Sequence, residues 1–149
     1  MIEAGSPAPE FVLKRADGSD FTRADLEGKT TVLVFYPFAF SPVCTDPLNL
    51  YEEVLSDLQE QGATMYGVSC DATWSQTAFK ERLGVTIEQL SDFEPKGAAC
   101  QAFDVYHPGG FAQRALVIVD PDLTVRWGYE APSPGDLPGA NLIFDGLAA

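Results

Sequence analysis

The chain is an acidic protein of 149 residues, with 22 acidic and 9 basic residues and a formal net charge of −13. This charge excludes a nucleic-acid partner, because so few basic side chains cannot neutralise a row of phosphates. The length and a hydrophobic fraction of 46% predict one domain, residues 1–149, with a buried core. No apolar run has the length of a membrane span and the N-terminus does not resemble a signal peptide, so we expect a cytoplasmic protein without a membrane partner.

Short extended segments begin the chain and lead into a buried strand. Residues 11–13 and 21–22 flank Asp17-Gly18, a dipeptide typical of hairpin turns. Residues 30–36 are almost continuously apolar and rich in β-branched and aromatic side chains, which is typical of a central strand covered on both faces. The N-terminal region therefore predicts a hairpin together with the central strand of a sheet.

A helix is expected after this strand. Leu48, Tyr51, Leu55 and Leu58 recur at spacings of three and four residues, so they share one apolar face of a helix. Gly62 stands where a C-terminal cap is expected, because glycine readily adopts the left-handed conformation that ends many helices.

Strands and helices continue to alternate toward the C-terminus, which is typical of an α/β sheet, and a late hairpin adds antiparallel edges. The apolar end of the chain is expected to dock on this body. We predict a strand at residues 64–69, a helix at Thr73–Leu83 closed by Gly84, a short helix at residues 98–103, a loop at residues 106–113, and strands at Ala115–Val119 and residues 125–127.

The three cysteines, Cys44, Cys70 and Cys100, are widely spaced and odd in number, so they do not indicate a disulfide framework. There is no CxxC pair and His107 is the single histidine, so we expect neither a metal site nor a cofactor. Cys44 extends the apolar stripe by four residues and falls at the predicted start of the helix, where a thiolate is favoured. The alternative is that Cys44 only packs, as buried thiols commonly do.

Pro37, Ser41 and Cys44 form the pattern Pro-x-x-x-Ser-x-x-Cys, which resembles the active-site signature of the peroxiredoxins. Within this family, the short C-terminus and the segment SDFEPKGA are most similar to the one-cysteine group that comprises alkyl hydroperoxide reductase E and the bacterioferritin-comigratory type. The resemblance implies an α/β, thioredoxin-like fold in which helices flank a central mixed sheet and a β-hairpin stands at the N-terminus. Further segments resemble the family in the same order: GSPAPEFVL, VLVFYPFAFSPVCT, YGVSCD, LSDFEPKGAACQAFDV and QRALVIVDPDLTVRW.

The resemblance also implies roles for individual residues. Cys44 matches the peroxidatic cysteine, which attacks the peroxide O–O bond and becomes a sulfenic acid. Ser41 and Arg114 match the residues that bind the peroxide, and Arg114 also lowers the thiol pKa. Pro37 matches the proline that shields the site from water, and the backbone N–H of Val43 or Cys44 would donate to the incoming oxygen.

Each of these residues also has a purely structural interpretation. Arg114 precedes an apolar strand and would then be a solvated residue at its start. Ser41 would cap the following helix, and Pro37 would simply end a strand.

Two positions depart from the family pattern. Pro47 replaces the Glu or Gln that often supports the arginine, so the support of Arg114 is an open question. Asn49 stands where some members carry a resolving cysteine. Cys70 and Cys100 are expected to pack, with Cys100 the better candidate if one of them resolves the sulfenic acid. We therefore expect a one-cysteine mechanism in which an external thiol or a redoxin protein is the reductant.

The implied activity is a thiol-dependent peroxidase acting on hydrogen peroxide or organic hydroperoxides, in a homodimer. Phe38, Phe40 and Phe111 would support a dimer contact, accept an alkyl peroxide, or only pack. Two alternatives on the same fold are a monothiol thiol–disulfide oxidoreductase and a redox-sensing or binding module. Peroxide turnover with a thiol reductant separates the peroxidase from the sensor, and disulfide reduction without peroxide would single out the exchange activity.

Overall fold

The computed structural model describes residues 1–41 and 45–149, except for the side chains of residues 45–47. Within these residues the predicted α/β architecture is confirmed. The strands are β1 Val12–Lys14, β2 Asp20–Thr22, β3 Thr30–Phe35, β4 Ala63–Ser69, β5 Glu88–Ser91, β6 Tyr106–His107, β7 Phe111–Ala112, β8 Ala115–Val119 and β9 Val125–Glu130, and the helices are α1 Thr45–Glu53, α2 Leu55–Glu60, α3 Thr73–Leu83, α4 Ala98–Ala102 and α5 Ala140–Leu147, with a 3-10 turn at Arg23–Leu26.

Among the described residues, one mixed sheet has the strand order β2-β1-β5-β4-β3-β8-β9. The central strand β3 pairs in parallel with β4 and antiparallel with β8, and Phe35 lies opposite both Val68 and Ala115. Because parallel strands end at the same edge of a sheet, the segments after β3 and β4 meet there. The antiparallel strand β8 begins at that edge, so the residue before it, Arg114, is brought to the same place.

Helices and the N-terminal hairpin cover the two faces of this sheet. On one face, Leu33 and Phe35 of β3 pack in a core with hairpin residues such as Phe21. On the other face, Val32 and Val34 pack in a core with residues of α1, α2, α3 and α5. The alternation follows from the two-residue repeat of a strand, and coverage on both faces explains why β3 is apolar almost throughout.

The helix expected after β3 is divided into α1 and α2. Val54, between them, has a φ of −105° and a ψ of 3°, which interrupts the regular helix. The predicted apolar face is confirmed: Leu48, Tyr51 and Leu58 are almost completely buried. Gly62 has the positive φ, +79°, that the predicted cap requires.

Strand β5, the pair β6–β7 and helix α5 were not predicted. Strand β5 was missed, because its buried residue Gln89 is polar; the Tyr36 hydroxyl donates to the Gln89 amide oxygen at 2.7 Å and so satisfies it. The predicted loop at residues 106–113 contains the two-stranded pair β6–β7. The apolar end of the chain docks as expected, but it does so as a helix, α5, whose Ile143 is fully buried. Among the described residues, no helix combines the length and the apolar character needed to cross a bilayer.

Candidate active site

A cavity of about 250 Å³ lies at the edge of the sheet where β3 ends. Pro37, Ser41 and Arg114 all line it, so these predicted site residues are brought together although Arg114 is distant from the others in sequence. We call this space the Arg114 cavity. Phe38, Phe111, Pro134 and Gly135 complete its lining. Val43 and Cys44 lie outside the described residues, as does the side chain of Pro47.

The segment 37–41 is held against the end of β4 by Asp71. The backbone N–H of Ala39 donates to Asp71 Oδ2 at 2.7 Å, and the Ser69 hydroxyl donates to the same oxygen at 2.8 Å. Phe40 has a φ of +68°, in the left-handed region that is unfavourable for a large side chain, and its ring packs edge-on against Phe79. These contacts stabilise an otherwise costly loop conformation. Sequence reasoning missed the role of Asp71, which comes just after the predicted strand at residues 64–69.

Arg114 is a buried cation that the C-terminal segment holds in place. Its side chain is only 3% exposed, which excludes the interpretation as a solvated residue at a strand start. Arg114 Nε donates to the backbone oxygen of Pro134 at 2.8 Å, and the Ala131 N–H donates to the backbone oxygen of Arg114 at 2.9 Å. A buried guanidinium favours an anion nearby, because the anion offsets part of the cost of removing the cation from water.

Tyr51 of α1 connects the helix to the same C-terminal segment. Its hydroxyl donates to the backbone oxygen of Pro138 at 2.5 Å. Burial raises the pKa of Tyr51 to about 12, and the positive charge of Arg114 partly opposes that shift. Tyr51 is therefore a neutral residue near the guanidinium; the sequence predicted it on the apolar face of the helix but gave no sign of its place beside Arg114.

The mouth of the Arg114 cavity is aromatic. The rings of Phe38 and Phe111 lie 5.2 Å apart, and His107 stacks on Phe111 with ring centroids 4.2 Å apart. We call Phe38 and Phe111 the aromatic rim of this cavity. Phe38 is 41% exposed, so the rim presents apolar surface to solvent; Phe40, 49% exposed, adds apolar surface on the same segment but does not line the cavity.

Cys70 and Cys100 are both buried, as predicted, but they also lie side by side. Their sulfur atoms and a carboxylate oxygen of Asp92 are all within 4.8 Å of one another. A hydrogen bond from the Cys100 thiol lowers the pKa of Cys70, although burial opposes the shift. The same hydrogen bond, together with burial, raises the pKa of Cys100. Burial also raises the pKa of Asp92.

Comparison with known proteins places the chain in a family. The sequence model of the AhpC/TSA family matches residues 4–128. Alkyl hydroperoxide reductase E of Mycobacterium tuberculosis is 30% identical over 151 aligned positions, which cover 100% of this chain and 98% of the relative. A peroxiredoxin of Thermoplasma volcanium is 30% identical over 138 positions, covering 89% of this chain and 67% of the relative.

Solved structures show the same fold. The crystal structure of AhpC from Enterococcus faecalis superimposes with a TM-score of 0.87 at 26% identity, covering 99% of this chain and 92% of that one. Peroxidoxin BcpB of Mycobacterium tuberculosis has a TM-score of 0.83 at 23% identity, covering 99% and 96%. The family match and the sequence relatives at 30% identity support a thiol-dependent peroxidase activity. The chain therefore belongs to the AhpC/TSA family and is a peroxiredoxin.

Proposed function

We propose that the chain reduces hydrogen peroxide or organic hydroperoxides through Cys44. The observation that carries this proposal is the convergence of Pro37, Ser41 and the buried Arg114 on one cavity. Ser41 is three residues before Cys44 in the sequence, in the spacing of the family signature. The cavity thus combines a cation, a hydroxyl and an apolar wall, and its lining residue Ser41 is close to Cys44 in the sequence.

In the proposed reaction, the thiolate of Cys44 attacks one peroxide oxygen and the O–O bond breaks. The sulfur becomes a sulfenic acid, and the departing oxygen takes up a proton to leave as water or an alcohol. Arg114 and Ser41 hold the peroxide oxygens, and the guanidinium stabilises negative charge as it moves from sulfur to the departing oxygen. The hydrogen bond from Arg114 Nε to Pro134 supports this role, because a cation held in place needs little rearrangement during the reaction.

In the proposed reaction, the buried Pro37 and the rings of Phe38 and Phe111 exclude water once a peroxide occupies the cavity. Phe38 and Phe111 line the cavity, and their rings are in contact. A site shielded from water strengthens the electrostatic effect of Arg114, because water screens charges far more than protein does. The apolar wall also suits the alkyl group of an organic hydroperoxide.

We propose a one-cysteine cycle in which an external thiol or a redoxin protein removes the oxygen from Cys44. An incoming thiol condenses with the sulfenic acid to form a mixed disulfide and water, and a second thiol then releases Cys44 as a thiol. The burial of Cys70 and Cys100 supports this choice, since a resolving thiol has to reach a partner sulfur.

We also propose a homodimer, in which the partially exposed rings of Phe38 and Phe40 contribute to the contact. Such rings lose unfavourable exposure when a second copy covers them. The cytoplasmic location remains a prediction from the sequence.

The decisive test combines a sulfenic-acid trap with peptide mapping after addition of one equivalent of hydrogen peroxide. We expect one adduct, at Cys44, and loss of peroxide turnover in Cys44→Ser. The matched control is the double variant Cys70→Ala, Cys100→Ala, which should keep the adduct and the turnover. Absence of a fast reaction at Cys44 would contradict the peroxidase and favour the sensing module. Disulfide reduction without peroxide consumption would instead favour the thiol–disulfide oxidoreductase.

A further inference from the structure

A second group of reactive side chains lies apart from the Arg114 cavity. Cys70 follows β4, Asp92 follows β5, and Cys100 is in the short helix α4. The exposed fractions of these residues are 4%, 3% and 0%, and none of the three lines the Arg114 cavity. Because β4 and β5 are parallel neighbours, Cys70 and Asp92 leave the sheet at the same edge. Helix α4 then places Cys100 beside both.

The carboxylate of this cluster is oriented by the backbone. Asp92 Oδ1 accepts a hydrogen bond from the Ala99 N–H at 3.0 Å, and Oδ2 accepts one from the Cys100 N–H at 2.8 Å. Each carboxylate oxygen has two acceptor directions, so these bonds leave further acceptor capacity. Hydrogen bonds of this kind commonly fix the ligands of metal ions in proteins.

We propose that Cys70, Asp92 and Cys100 form a binding site for one thiophilic divalent cation of the Zn²⁺ and Cd²⁺ class. Their ligand atoms lie within 4.8 Å of one another. Metal–sulfur bonds of about 2.3 Å place two sulfurs about 3.8 Å apart in a tetrahedral arrangement, so only a small contraction is needed.

The composition of the cluster selects this class of ion. Two thiolate sulfurs favour a soft or borderline cation, whereas Mg²⁺ and Ca²⁺ require oxygen ligands. Zn²⁺ is found elsewhere in proteins with three protein ligands and an open fourth position. Binding replaces thiol protons with the cation and releases them to solvent, and no electron is transferred.

The proposal revises the expectation, drawn from sequence, that the chain has no metal site. The wide spacing of the cysteines and the absence of a CxxC pair are weak evidence against a metal site, because the proposed ligands follow separate strands or lie in a helix. The proposed ion would connect the ends of β4 and β5 with α4.

The test is a titration of the Cys44→Ser variant with Cd²⁺ under a phosphine reductant, because Cys44 itself binds soft cations. We expect a thiolate-to-metal charge-transfer band that saturates at one equivalent, with release of thiol protons. When Cys70→Ser or Cys100→Ser is introduced into the Cys44→Ser variant, the saturating band should disappear. Asp92→Asn in the same background should weaken Cd²⁺ binding at least tenfold. Circular dichroism checks folding, and Cys70→Ala and Cys100→Ala replace any serine variant that does not fold.

The acidic surface provides the competing explanation. Cations bound by exposed carboxylates would give neither the charge-transfer band nor proton release, and that result would overturn the proposal. A charge-transfer band that is unchanged in the Cys70 variants would also overturn the proposal. So would a failure of Cd²⁺ to bind when Cys70 and Cys100 are both reduced. Since the titration uses a chain without Cys44, its outcome is independent of the peroxidase test.

Discussion

Asp71 is predicted to hold segment 37–41, the loop of the proposed active site, and its replacement should affect both stability and activity. Asp71→Ala removes the acceptor of two hydrogen bonds, from the Ala39 N–H at 2.7 Å and from the Ser69 hydroxyl at 2.8 Å. A hydrogen bond to a charged group contributes about 1.5–3 kcal/mol, but both bonds are only partly buried and water replaces part of each. We therefore expect a loss of about 2–3 kcal/mol in the free energy of unfolding, or a Tm lower by roughly 4–12 °C.

The same variant should lower kcat/KM for peroxide by about tenfold to a hundredfold, because a small displacement of reacting groups is costly in rate. Asp71→Asn is the matched control: one amide oxygen can accept from both donors, so its losses should be clearly smaller. Urea unfolding and stopped-flow peroxide reduction measure the two quantities. The loop does not depend on this anchor if the free energy of unfolding of Asp71→Ala lies within about 0.5 kcal/mol of the wild-type value and the variant reduces peroxide at the wild-type rate.

Three further predictions follow from the buried groups and from the exposed ring of Phe40. Arg114→Lys should reduce kcat/KM for peroxide by about a hundredfold, because lysine lacks the planar guanidinium that donates to Pro134 and lines the cavity. A rate within twofold of that of the wild type in competition kinetics would refute this role. The raised pKa of Tyr51, about 12, means that its stabilising effect is complete below the unfolded value of about 10 and is lost as pH rises through 12. Between pH 9 and 11.5 the urea midpoint should therefore fall more for the wild type than for Tyr51→Phe, and parallel curves would contradict this assignment. Phe40→Asp should shift the protein toward the monomer in analytical ultracentrifugation, whereas Leu50→Asp, at a comparably exposed residue of α1, should not; equal behaviour would remove Phe40 from the interface.

Several elements could be predicted because their signals are local. Helix α3 has the predicted bounds, since its C-terminal glycine, Gly84, adopts the left-handed conformation that closes a helix. Strand β3 was recognised by its continuous apolarity. Strand β5 could not be recognised in this way, because the burial of Gln89 depends on a hydrogen bond from Tyr36, a residue far away in the sequence.

The candidate site also contains residues that the sequence identified and contacts that only the structure revealed. Pro37, Ser41 and Arg114 were identified by their resemblance to a family pattern, and the fold brings all three to one cavity. Among the described residues, the backbone oxygen of Pro134 is one support of Arg114, the residue whose support Pro47 left open. A backbone carbonyl carries no side-chain signature, so no reading of residue types would have found this contact.

The sequence alone therefore determined the α/β alternation, the acidic character of the chain and the cysteine motif, because periodicity, caps and short motifs depend on residues close together in the chain. Only the tertiary structure decided that Asp71 anchors segment 37–41 and that Cys70 and Cys100 meet at Asp92. These neighbours lie on separate elements, and their contact depends on the order and direction of β3, β4 and β5 in the sheet. Strand order is set by the packing of the whole core, which no local segment encodes.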